Sequence, residues 1–220
     1  LITFKDWERK GKVIGSNNFV KQFQKNCVIL LDRLIFEYVT KQWRGSSDSR
    51  VAQNIKELES QPPIFIPVEK SRWIEILNEI FDKNTIADSE INQKLLTPIL
   101  YHFYCISEIA GPDSNLYSIE VDHIIPKTLF ESSTIRNGTI LKDNLFNLGL
   151  LPKKDNISKS NKKLVQIDNT WLKEQIKKYE FIEENEYSKF SSITGLDDLK
   201  SKRRTYFEKA FSELRDNLLV

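Results

Sequence analysis

The spacing of apolar residues changes once along this chain, and that change constrains the fold more than any other feature. As far as Ile109 the apolar positions recur every three or four residues; beyond Gly111-Pro112-Asp113 they alternate, as in Ile119 and Val121. A period near 3.6 belongs to helices with one buried face, and a period of two to half-buried strands. The order predicted is helices, then a small strand-strand-helix module, then helices closing around it. That is a predominantly α-helical α+β fold, with a helical segment over 1–110, a central unit over 111–165 and closing helices over 166–220.

Within the first segment, residues 1–16 read as a polar, glycine-punctuated lead-in. Ser16-Asn17-Asn18 are good capping residues for a long helix to about residue 43. Its Phe19, Phe23, Cys27, Leu30, Leu31, Leu34, Ile35 and Tyr38 fall on one face, which is predicted to pack on the core. Gly45 stops it, and Ser46-Ser47-Asp48 lead into a second helix carrying Val51, Ile55 and Leu58. Pro62, Pro63 and Pro67 mark a connector. A third helix over 68–82 shows Trp73, Ile76, Leu77 and Ile80, and a fourth, opened by Asp88-Ser89-Glu90, runs to about 109 with a bend at Pro98. His102 lies in its apolar run with no carboxylate near it in sequence, and is read as a packed histidine. After the central unit, helices are predicted over 171–181 and 195–219.

Composition narrows the class. An apolar share of 40% in 220 residues suffices for a real core. Cys27 and Cys105 are far apart in apolar, helix-like settings and no Cys-x-x-Cys pair occurs. That argues against a structural zinc and for a reducing, cytoplasmic setting in which both thiols act as small hydrophobes. No run is long and apolar enough to suggest a membrane span or a signal peptide. The chain starts at Leu1 and holds no methionine, and reads as the C-terminal part of a longer polypeptide. The formal net charge is only +2, yet from Asp122 to Lys163 eight bases stand against four acids. The positive field is thus concentrated on the central unit.

That unit holds His123, one of two histidines, directly after Asp122 where a short strand runs out at Pro126. Neutral imidazole is the main form at physiological pH, so His123 can take a proton from water. Asp122 would point to the opposite side of the strand unless the backbone turns there, as Pro126 makes plausible. Asp122 and Asn156 would then supply the carboxylate and amide oxygens that magnesium accepts alongside several waters. Asn161 is a second candidate for the helix ligand, with Lys163 further along the same helix. Lys127, Lys153, Lys154, Lys159 and Lys162 are placed to contact successive phosphates without reading sequence.

Three stretches together, Asp-His-Ile-Ile-Pro at 122–126, Asn-Leu-Gly-Leu-Leu at 147–151 and Asp-Asn-Ile-Ser-Lys-Ser-Asn-Lys-Lys at 155–163, resemble the HNH, or ββα-metal, endonucleases. Within that family the chain resembles the C-terminal nuclease domain of GmrSD-type modification-dependent restriction enzymes. The nine-residue step from Asn147 to Asn156 is also similar to the HNH domain of RNA-guided CRISPR nucleases. The resemblance implies His123 as general base, Asn147 orienting it or stiffening the loop, and Asn156 binding metal. It further implies a Mg2+ or Mn2+ cofactor, a DNA substrate and a nucleotide-dependent sensor domain N-terminal to this chain. The step of 24 from His123 to Asn147 predicts an insertion at about 131–139, and the final asparagine stands where many HNH enzymes have histidine. The rival readings are a degenerate HNH fold that binds without cutting, an RNase using the same site, and a purely structural scaffold.

Overall fold

The computed structural model describes residues 17–42, 66–83, 85–86, 89–90, 93–107, 119–131 and 142–219, with Ser49, Ala52 and Lys56 as single helical residues. The lead-in, the turn at Gly45 with the core positions of the helix after it, the connector at Pro62-Pro63, the breaker at Gly111 and nearly all of the predicted insertion lie outside these residues.

The first helix, α1 (Asn17–Val39), forms where predicted, and of its predicted face Phe19 is buried and Ile35 packs on the core, but the buried face is rotated away from the rest. Its buried residues are Phe19, Asn26, Ile29, Asp32, Phe36 and Val39, while Leu31, Leu34 and Tyr38 are 44%, 45% and 48% exposed. The reason is electrostatic. Asp32 accepts the Trp73 indole N–H at 3.2 Å and lies 2.8 Å from Nε2 of His102, so a buried carboxylate with two partners fixes the rotation of the helix. Cys27 and Cys105 are likewise exposed rather than packed.

Helix α2 (Lys70–Asn78) continues into a π-helical turn, Glu79–Lys83, and buries Trp73, Ile76, Leu77, Ile80 and Phe81. Ser89-Glu90, predicted to open a helix, instead forms strand β2 (Ser89–Glu90), antiparallel to β1 (Thr85–Ile86). Helix α3 (Gln93–Ile106) follows with Pro98 inside it. Its Phe103 stacks on Phe207 at 3.9 Å between ring centroids.

The change of period produces the predicted hairpin. Strand β3 (Ile119–His123) pairs antiparallel with β4 (Leu148–Pro152) in regular register, Asp122 opposite Gly149 and His123 opposite Leu148. Between them lie the short helix α4 (Lys127–Glu131) and a 3-10 turn over Leu145–Asn147, in which Asn144 caps the Phe146 amide. Helix α5 (Lys153–Lys159) leaves β4 with no intervening loop. It ends at Ser160, whose φ of 48° breaks the helix, so Asn161 and Lys163 do not continue it as the sequence suggested.

Two closing helices complete the molecule: α6 (Thr170–Glu180), capped by Asn169, and α7 (Leu196–Leu219). Gly195 precedes α7, and a Cβ there would stand 2.1 Å from the Lys189 carbonyl oxygen, a backbone contact that cannot give way. Buried apolar residues form two clusters. One joins α1, α2, α3, the hairpin and α7; the other gathers Ile124, Ile125, Phe130, Leu164, Ile167, Leu172 and Ile176 with the 3-10 turns before α7. Strand β3 begins in the first cluster with Ile119 and its continuation enters the second with Ile124, so His123 lies at the junction. Among the described residues, no helix is long and apolar enough to cross a membrane.

Candidate functional site

Regular alternation along β3 turns its last two residues to opposite faces. With His123 paired to Leu148 and Asp122 to Gly149, no bulge intervenes, and the turn needed to bring both side chains to one side is absent. Asp122 therefore faces inward, 5% exposed, where its carboxylate is bonded by the Lys159 ammonium. Lys159 is wholly buried and also donates to Glu180 Oε1 and Oε2, at 2.8 and 3.1 Å, and to the His123 carbonyl oxygen at 3.2 Å. Gly149 makes room for this network: a Cβ there would come within 2.9 Å of Glu180 Cγ.

Burial pushes the Glu180 carboxyl up to about 8, and the neighbouring Asp122 acts in the same direction while Lys159 opposes it. Lys159 is raised above the usual lysine value because the attraction of Asp122 and Glu180 outweighs desolvation. The raised Glu180 carboxyl favours its protonated form beside the Lys159 ammonium, which lessens the net charge buried in this site. This corrects two sequence assignments. Lys159 cannot reach a phosphate, and Asp122 is not presented to an incoming ligand.

On the other face, His123 Nε2 lies 2.9 Å from Asp143 Oδ1. The imidazole side chain is 10% exposed and that of Asp143 24%, so the pair lies at the edge of solvent. Burial lowers the His123 pKa below 6.5, with nearby Lys127 pushing the same way and the bond to Asp143 opposing both. A neutral ring that keeps its proton on Nε2 and donates it in a hydrogen bond to Asp143 has its lone pair on Nδ1. Asp143 was not singled out in the sequence. The signal was available in the antiparallel pairing, which brings residues just before β4 alongside those just after β3.

Asn147 does not touch the histidine. Its side chain accepts the Ile125 amide at 2.8 Å and donates to the carbonyls of Ile125 and Lys142, at 3.1 and 2.9 Å. Of the two roles that the resemblance implies, the geometry matches loop stiffening, and the partner that selects the tautomer is Asp143. Ile124 N also bonds the Asn147 carbonyl at 2.9 Å. The residues on either side of His123 and Asp143 are thus laced together through one buried amide.

Asn156 lies on α5 and faces β3, as predicted, but its Nδ2 donates to Glu120 Oε2 at 3.1 Å, two positions before Asp122. Asp122 and Asn156 therefore bond different partners. Among the described residues, no group of three or more His, Cys, Asp and Glu side chains is placed to hold a metal ion. With its carboxylate already neutralised by Lys159, Asp122 does not fit the joint oxygen site that a magnesium or manganese ion at Asp122 and Asn156 would need. Lys153, Lys154, Asn161, Lys162 and Lys163 are exposed, and Lys127 is half-buried. Lys153 is 3.7 Å from Glu120, a surface pair of little energetic weight.

What the arrangement can do is hold a neutral imidazole with one committed nitrogen within the field of Lys127. No family model matches the chain, and no curated protein and no solved structure matches it either.

Proposed function

We propose that this chain hydrolyses phosphodiester bonds of DNA, nicking one strand or cutting both, as the effector part of a restriction or anti-phage defence protein. The observation that supports this most is the His123–Asp143 pair at the end of the first strand of a strand-strand-helix unit. His123 Nδ1 accepts a proton from water as its oxygen attacks phosphorus and the bond from phosphorus to the 3′ oxygen breaks, the departing oxygen taking a proton from solvent, while Asp143 holds the ring and stabilises the imidazolium that forms. Lys127 brings positive charge close to the imidazole, and the exposed Lys153, Lys154 and Lys162 neutralise flanking phosphates. The resemblance to HNH enzymes adds the rest of the proposal: a divalent cation, cytoplasmic action and control by an N-terminal nucleotide-dependent sensor.

The deciding experiment is a supercoiled-plasmid nicking assay with the parent chain and His123→Ala, each with and without EDTA. His123→Ala is expected to abolish cleavage while DNA binding stays nearly intact; equal activity in the variant rejects the assignment. Loss of cleavage in EDTA with recovery on Mg2+ or Mn2+ assigns a cation to the reaction, whereas persistence assigns the chemistry to the protein's own groups.

One observation favours a second reading, a nucleic-acid-binding module that does not cut. The Asp122 carboxylate, which the resemblance gives to the metal, is engaged by Lys159. That reading predicts DNA binding with no nicking under any divalent ion.

A further inference from the structure

Outside the His123 site, one aromatic side chain lies on the surface in a setting built to keep it there. Trp171, in the first turn of α6, is 61% exposed, yet its indole N–H donates at 3.1 Å to Oδ1 of Asp155 on α5, itself only 6% exposed. A bond through the ring edge fixes the indole and leaves its faces uncovered. Burying an indole is worth a few kcal/mol, so an ordered tryptophan held open to water is a costly arrangement unless something covers it.

The surroundings identify what. Asp155 follows Lys153 and Lys154, both exposed. Lys162 and Lys163, also exposed, precede Leu164, which is buried in the same cluster as Leu172, the residue after Trp171. Lys153 and Lys154 share the first turn of α5 with Asp155, which holds the indole, Lys153 lying 3.7 Å from Glu120, and Lys162 and Lys163 lead the chain into the cluster that Leu172 shares. From Lys153 to Trp171 the exposed acid is Asp168. Ile157 and Val165, 66% and 52% exposed, extend the apolar part of the patch. Cations spaced along the chain around a flat aromatic surface match a polyanion whose repeating unit also carries a flat ring.

We propose that Trp171 and Lys153, Lys154, Lys162 and Lys163 bind a single-stranded stretch of DNA, with one base stacked on the indole and the backbone phosphates on the lysines. In a duplex both faces of a base are already occupied by neighbours, so only an unpaired nucleotide can use the platform. The inference rests on the proposed function only for the choice of nucleic acid as ligand, and it makes the preferred substrate a strand that is unpaired beside the cut.

The test measures fluorescence anisotropy of a labelled oligothymidine of about 20 nucleotides, and of a duplex of about the same length, with the chain carrying His123→Ala so that nothing is cut. Trp171→Ala is expected to weaken single-strand binding by roughly 5- to 100-fold while changing duplex binding little, because one base–aromatic stack carries that much affinity. Trp171→Phe, which loses the bond to Asp155 but keeps a ring face, is expected to retain most of the affinity. Replacing all four lysines by Gln is expected to flatten the dependence of log K on log salt by about 3, close to 0.7 for each phosphate released. Unchanged single-strand binding in Trp171→Ala, or equal loss on the duplex, overturns the platform. If His123→Ala leaves nicking unaltered while Trp171 still governs strand binding, the nuclease reading falls and this site stands.

Discussion

At the scale of single residues, the decisive feature is that two adjacent side chains, Asp122 and His123, have been given opposite environments. His123, with its pKa lowered by burial, carries less charge in the folded state than in the unfolded chain around pH 6.5. Its contribution to stability is therefore present above that value and lost on acidification, and its capacity as a base follows the same direction. Plotting kcat/KM for nicking against pH is expected to give an acid limb with its midpoint below 6.5, and Asp143→Asn is expected to lower the rate and move that midpoint down. Glu180 behaves oppositely. With a folded value of about 8 against an ordinary 4.5, it holds a proton in the native state that the unfolded chain releases, so stability falls as pH rises between those values. Thermal melts of Glu180→Gln from pH 5 to 8 are expected to show a flatter pH dependence of Tm than the parent; an unchanged slope would place the titration elsewhere. Removing the cation of the triad is more severe. Lys159→Met leaves buried acids without their counter-charge and is expected to cost about 3–5 kcal/mol, read as a drop in the urea midpoint.

Between elements, the hairpin and the loops at its open end are held by Asn147 rather than by ladder bonds alone. Its amide satisfies the Ile125 amide and the carbonyls of Ile125 and Lys142, all in a region where water is largely excluded. Asn147→Ala is expected to destabilise by about 1–3 kcal/mol through those orphaned backbone groups, and to reduce nicking more than DNA binding because Asp143 and His123 lose their relative placement. Asn147 is expected from the resemblance as a residue that orients the histidine or stiffens the loop, and the fold sets it in the 3-10 turn just before β4. What it bonds to was not legible, since Lys142 and Ile125 are on different sides of the hairpin. The same holds for Asn156: its helix and its facing direction follow from the run of lysines after Pro152, but the choice of Glu120 over Asp122 is a matter of how far α5 slides along β3.

For the molecule as a whole, polar groups inside the core tie distant segments together. Asp32, His102 and Trp73 connect α1, α3 and α2 in one network. Arg203 on α7, wholly buried, donates to the Leu148 carbonyl at 2.6 Å and lies over the rings of Phe103, Phe181 and Phe207. The Tyr104 hydroxyl on α3 donates to the Tyr179 carbonyl and accepts the Leu150 amide at 3.1 Å. The Arg203 and Tyr104 bonds hold α7 and α3 onto β4, and the Asp32 network accounts for α1 turning Asp32 inward and leaving Leu34 and Tyr38 outside. Asp32→Ala is expected to lower stability by about 2–4 kcal/mol, because the indole N–H and the imidazole lose their acceptor within the core. Equilibrium unfolding would show it as an earlier midpoint.

Periodicity and turn chemistry located α1, α2, most of α3, β3 and the two closing helices, because each of these is decided within a few residues by which face is apolar and where the chain must break; β4 and α5 are expected from the resemblance. The location of His123 at a strand end and the exposure of Lys153, Lys154 and Lys162 belong to the same local level. Only the tertiary structure decided that Lys159 closes a buried triad with Asp122 and Glu180, that Asp143 is the partner of His123, and that α1 faces the core with a carboxylate. Each of those joins groups from separate elements, and a charge buried by one segment is neutralised by whichever other segment the packing brings against it, which local spacing does not encode.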